Sequence, residues 1–199
     1  MTEPQQLVVR THVGRDLLQT AQLFRTLEAA AWEYVANSLE YVAAGVQPKV
    51  TVQLDIRNKI VTISDNGRGM DASGLQQFFT MHGENQDRKS GKRGRGKFGT
   101  GKSAAFGIAR NLRVSTVKDG RRNVVELALD DIKASEGEDI PVRWLVRDES
   151  AESGSGTVIS IEDVLLPRLQ PEPLIRNVER HLAYWRAVGD QPVVATPQQ

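Results

Sequence analysis

The feature that most restricts how this chain folds is a series of short apolar runs joined by turns too short to hold a crossover helix. Leu112 to Val117 and Val124 to Leu129 flank Asp119-Gly120, a dipeptide that suits a two-residue hairpin because both positions tolerate positive φ. Val50, Val52, Leu54 and Ile56 alternate with Thr51, Gln53 and Asp55, and Ile60 to Ile63 follows the polar Arg57-Asn58-Lys59. That pattern predicts a second hairpin ending at Asp65. A third pair, Val142 to Val146 and Thr157 to Ile161, brackets a loop rich in Ser, Gly and Glu. Parallel neighbours need a connection of about a dozen residues or more, so hairpins in direct succession imply mainly antiparallel pairing.

Helical spacing surrounds these strands. From Gly14 to Gly45 the positions Leu17, Ala21, Phe24, Leu27, Ala31, Val35 and Val42 recur at intervals near three and four, predicting one long helix or two in succession. Asp71 to Met81 is weakly helical, His82 to Lys97 reads as a polar loop, and the alanine-rich Gly101 to Asn111 predicts a helix opening at the loop's end. Glu172 to Val188 carries Leu174, Val178, Leu182 and Trp185 at helical spacing after a proline-bearing stretch. The expected fold is α+β, a two-layer sandwich in which helices cover one face of a mixed, mainly antiparallel sheet. One domain is expected over residues 1–165, with an N-terminal arm at 1–15, followed by a C-terminal helix and tail at 166–199.

Charge and cysteine usage exclude some classes. With 26 basic and 25 acidic residues the net charge is +1, which gives no global argument for a nucleic-acid or membrane partner. The absence of cysteine rules out disulfides and thiolate metal sites. No run of about 18 apolar residues is present and the N-terminus lacks a signal-peptide pattern, so a cytoplasmic location is expected.

Four segments carry candidate chemistry. Glu33 and Asn37 stand four apart on the long helix, which places a carboxylate and a carboxamide on the same face within an alanine-rich, apolar neighbourhood. Such a carboxylate polarises water, and an amide oxygen suits a hard divalent cation. Asp65-Asn66-Gly67-Arg68-Gly69-Met70 follows an apolar strand; its glycines permit close backbone approach and its aspartate accepts from an amino group. A plain strand-ending turn uses the same residues. Gly96-Lys97-Phe98-Gly99-Thr100-Gly101-Lys102 presents glycine-rich backbone at a predicted helix start, behind the basic residues Arg88, Lys89, Lys92, Arg93 and Arg95, an arrangement suited to phosphate. Thr157 enters a strand, where threonine is ordinarily structural.

Gly96 to Ser103 also matches the P-loop pattern letter for letter, and a P-loop NTPase is the alternative reading. That pattern requires a buried strand leading into the loop, whereas Gln86 to Arg95 contains no apolar side chain.

Taken in order, the four segments resemble the GHKL superfamily, the fold shared by the gyrase B proteins, MutL, the ninety-kilodalton heat-shock chaperones and sensor histidine kinases. Glu33 and Asn37 look like its N box, Asp65, Gly67 and Gly69 its DxGxG box, Gly96, Gly99 and Gly101 its lid box, and Thr157 its late threonine, over roughly Leu17 to Asp163. The lid box looks most like those of the heat-shock chaperones and MORC-type ATPases. The resemblance implies a Bergerat-type ATP-binding fold with residues 82–100 as the ATP lid, and Mg2+-dependent ATP binding with slow hydrolysis to ADP. It implies that Asp65 takes the adenine amino group with Thr157 in support, and that Gly69 and Met70 lie beside the base. Asn37 is implied as the Mg2+ ligand, the backbone from Gly96 to Lys102 as the phosphate wrap, and Glu33 as the group that activates water. The kinase branch has asparagine where Glu33 stands, so Glu33 favours an ATPase over a non-hydrolysing regulator or kinase module. The family also implies an ATP-dependent homodimer, and a following domain or partner that supplies a basic residue to the terminal phosphate. The roughly 35 residues after the last predicted strand are too few for such a domain.

Overall fold

A computed structural model describes residues 6–10, 14–79, 101–134, 139–151 and 154–186. The chain runs through β1 (Gln6–Arg10), α1 (Gly14–Ala21), α2 (Leu27–Glu40), β2 (Val50–Asp55), β3 (Ile60–Asp65) and α3 (Ala72–Phe79). A 3₁₀ segment (Gly101–Gly107) then leads into β4 (Ala109–Lys118), β5 (Arg121–Ala128), α4 (Leu129–Ala134), β6 (Asp139–Ser150), β7 (Gly156–Val164) and α5 (Pro171–Arg186). Among the described residues the strands form one seven-stranded sheet in the order β1-β6-β5-β4-β7-β3-β2, with every pairing antiparallel.

Local chemistry accounts for most of these elements. Asp119 and Gly120 both take positive φ, 51° and 70°, and close the β4–β5 hairpin with Lys118 opposite Arg121. Thr26 caps α2 by accepting from the Ala29 amide at 3.2 Å, and the run of alanines that follows favours helix. Alternation then sorts the two sheet faces. On one face Val61, Ile161, Leu112 and Leu127 line up across β3, β7, β4 and β5, with Ile63, Ile159, Val114 and Val125 in the next row, all buried. They join Leu27, Ala31, Tyr34 and Val35 of α2, Leu75 of α3 and Leu174, Val178 and Leu182 of α5 in one cluster. The opposite face carries charge: Arg113 pairs with Glu126 at 2.9 Å and Glu162 at 3.2 Å, and Arg143 reaches Glu126 at 3.4 Å. The C-terminal helix therefore shares the core of residues 1–165, and its His181 stacks on Trp32 with ring centroids 4.5 Å apart.

The expected helix from Gly101 to Asn111 is not formed. A 3₁₀ segment ends at Gly107, and β4 begins at Ala109. At Gly107 a Cβ would stand 2.1 Å from the Phe24 carbonyl oxygen and 2.4 Å from that of Ala21. The backbone thus runs against the α1–α2 connection, and Ala104, Ala105, Phe106, Ile108 and Ala109 are all buried. Tertiary packing overrides helix propensity here. No helix among the described residues is long and apolar enough to cross a membrane.

Candidate functional site

Asp65 closes β3, and three donors converge on its carboxylate. Its Oδ1 accepts from the Gly67 amide at 2.8 Å and the Thr157 amide at 3.0 Å, and its Oδ2 accepts from the Ser38 hydroxyl at 2.8 Å. Burial raises the Asp65 pKa, opposed by those three hydrogen bonds. An ionised carboxylate offers about four lone-pair sites, so among the described residues one on Oδ2 is left for an outside donor. The loop beyond is fixed in place. Gly69 adopts φ of +64°, and a Cβ there would lie 1.9 Å from the Val117 carbonyl oxygen, so only glycine fits. Met70 donates its amide to Thr116 Oγ1 at 2.8 Å, while Asn66 accepts from the Lys49 amide at 2.7 Å and donates to the Gln47 carbonyl at 2.9 Å.

Helix α2 supplies the neighbouring wall. Ser38 holds Asp65, the Tyr41 carbonyl accepts from the Arg68 amide at 3.0 Å, and the buried Tyr34 hydroxyl accepts from the Ala105 amide at 3.2 Å. These contacts fix one side of α2 to the Asp65 loop and to the 3₁₀ segment. Asn37 and Glu33 lie along the adjoining stripe of the helix, both partly exposed, as their four-residue spacing dictates. Among the described residues neither side chain takes part in a hydrogen bond or ion pair. Burial raises the Glu33 pKa, and repulsion from Glu40 raises it further. Glu33 also lines a groove of about 720 Å³ between α2 and α5, together with Trp32, Asn177 and His181.

The structure brings Asp65, Gly67, Gly69, Met70 and Thr157 together, with Asn37 one residue from the Ser38 that touches Asp65. Gly96, Lys97, Phe98, Gly99 and Thr100 lie outside the described residues, as do the rest of the expected lid and residues 187–199. Gly101 and Lys102 open the 3₁₀ segment. Sequence reasoning missed Ser38 and Thr116. Ser38 was signalled by its place beside Asn37; Thr116 had no local signal, because its partners sit on a distant loop and strand.

Among the described residues no three His, Cys, Asp or Glu side chains gather where a metal ion could sit. The unengaged carboxamide of Asn37 fits a cation that takes few protein ligands and keeps its waters, which is the habit of Mg2+.

A protein-family model described as "Histidine kinase-, DNA gyrase B-, and HSP90-like ATPase" matches residues 25–157, a span that contains every candidate site residue. The B subunit of DNA topoisomerase 4 from Mycoplasma genitalium is 35% identical over 100 residues, covering 45% of this chain and 16% of that protein. The B subunit of DNA gyrase from Spiroplasma citri is 30% identical over 112 residues, covering 51% of this chain and 17% of that protein. The aligned part amounts to about a sixth of the length of either relative.

Proposed function

The chain belongs to the histidine kinase-, DNA gyrase B- and HSP90-like ATPase family, and from that premise we propose that it binds ATP with Mg2+ beside Asp65 and hydrolyses it slowly. The observation that carries this reading is the Asp65 carboxylate. It is held rigidly by three donors, with one lone-pair site left that matches an amino N–H of adenine. Gly69 and Met70 lie against the base, and Thr157 flanks it. The glycine-rich backbone from Gly96 to Gly101 wraps the phosphates, with Lys97 and Lys102 adding positive charge. Asn37 ligates Mg2+, which neutralises charge on the phosphate oxygens when bound. Glu33 accepts the proton of the attacking water. Its raised pKa makes it a stronger base than an ordinary glutamate, and its position on α2 keeps it out of Asp65's hydrogen-bond network.

The all-antiparallel sheet supports this reading over a P-loop enzyme, since no described strand has the parallel neighbour that a P-loop fold supplies. The cycle is proposed to drive homodimer formation, with a basic residue from a following domain or a partner completing the phosphate contacts. Both relatives are far longer than the matched region. Gel filtration with a non-hydrolysable ATP analogue is expected to shift elution towards a dimer, and an unchanged profile counts against that step.

The hydrolytic assignment is tested by calorimetry and phosphate release on wild type and Glu33→Ala. ATP affinity should stay within about threefold, because the base does not hold the nucleotide. Turnover should fall by roughly 10² to 10⁴, the usual contribution of a general base. Undiminished turnover removes Glu33 from the mechanism.

A further inference from the structure

Thr116 sits in β4 directly opposite Thr157 of β7, and its side chain is almost fully buried at 1% exposure. Its Oγ1 lies 2.8 Å from the Met70 amide, 3.2 Å from the Gly156 carbonyl oxygen and 3.3 Å from Thr157 Oγ1. Two of these partners have fixed polarity: an amide N–H only donates and a carbonyl oxygen only accepts. A hydroxyl has one proton and two lone pairs, so Thr116 gives its proton to Gly156 and takes the Met70 N–H on one lone pair. Either hydroxyl can donate in the contact with Thr157; with the Thr116 proton on Gly156, that contact falls on the remaining lone pair and its proton belongs to Thr157. The half-buried Thr157 hydroxyl is left with only lone pairs to offer a ligand, and the Thr157 amide holds the Asp65 carboxylate, itself an acceptor.

We propose that Thr116 is a specificity-determining positioning residue: it captures the Thr157 proton, so that the base pocket presents acceptors only and selects 6-amino over 6-oxo purine nucleotides. The inference rests on the proposed recognition of a base by Asp65. An amino group brings two N–H donors to the two acceptors, whereas a carbonyl oxygen meets lone pairs on both sides. By holding the Met70 amide, Thr116 also fixes the distance between the Asp65 loop and β7.

The test compares ADP with inosine diphosphate, which carries an oxygen in place of the 6-amino group, in direct binding titrations. Wild type should prefer ADP. Thr116→Val and Thr116→Ala should lower that preference about tenfold, because the freed Thr157 hydroxyl can turn and donate to the 6-oxo group. Thr116→Ser should keep it. Thr157→Val provides an arm at a less buried position and should lose the preference similarly, since it deletes the acceptor itself. Variants that weaken both nucleotides equally, leaving the ratio at the wild-type value, mean that Thr116 is merely structural and overturn the proposal. Failure of wild type to bind either nucleotide overturns the reading of the pocket, and this inference with it.

Discussion

At the proposed base end of the site, Asp65 accepts from Ser38, Gly67 and Thr157 while Thr116 ties Met70 to Gly156; at the proposed phosphate end, Glu33 and Asn37 lie on one stripe of α2 with no side-chain hydrogen bond among the described residues. The two proposed ends would meet different chemistry. A base is neutral and is recognised by donors and acceptors whose positions must be set before it arrives, so the desolvation of Asp65 is offset in part within the fold by three hydrogen bonds. Triphosphate and metal bring their own charge and water, so groups that address them are useful when unengaged. Preorganisation at one end and availability at the other make affinity and turnover separable.

Changing the polarity of the preorganised end should produce the largest effect on nucleotide affinity. In Asp65→Asn one oxygen still accepts from the Gly67 and Thr157 amides, and the new amide group can donate to Ser38, so the fold should survive. Its outward N–H, however, faces the adenine amino group, donor against donor. ATP affinity measured by calorimetry should fall about a hundredfold, with circular dichroism unchanged. Wild-type affinity in this variant would break the contrast, because the closed network would then have no part in recognition.

A smaller effect sharpens the other end. The Glu33 pKa is raised by burial and by Glu40, so the basic form is lost as pH falls through a value above the ordinary 4.5. The acid limb of kcat should therefore lie above that value. Glu40→Gln removes the like charge, lowers the Glu33 pKa and should move the limb to lower pH while leaving ATP affinity unchanged. Folding stability carries the opposite dependence. A carboxylate whose pKa is raised by folding contributes stability that is fully present below its unfolded value and is lost as pH rises through its folded one. The nucleotide-free Tm of Glu33→Gln should therefore gain on wild type as pH rises from 4 to neutrality, and a constant gap would mean that Glu33 is not desolvated.

The sequence by itself determined the elements whose cause is local: the β4–β5 hairpin through the positive φ of Asp119-Gly120, α2 through its Thr26 cap and alanines, and the two sheet faces through alternation that β5 breaks only at Asn123 to Val125. It also placed Asp65, Gly67, Gly69, Glu33 and Asn37 on the elements they occupy, since each motif lies within a few residues of an element boundary or on one helix. Tertiary structure alone decided two things. The segment from Gly101 became 3₁₀ rather than α-helix, and it ends at Gly107, which passes the Ala21 and Phe24 carbonyls where no side chain fits. Ser38 and Thr116 became partners of Asp65, Met70 and Thr157 across separations of 27, 46 and 41 residues. The polarity of a hydroxyl depends on which groups the sheet register brings to it, and periodicity along one strand carries no record of the strand beside it.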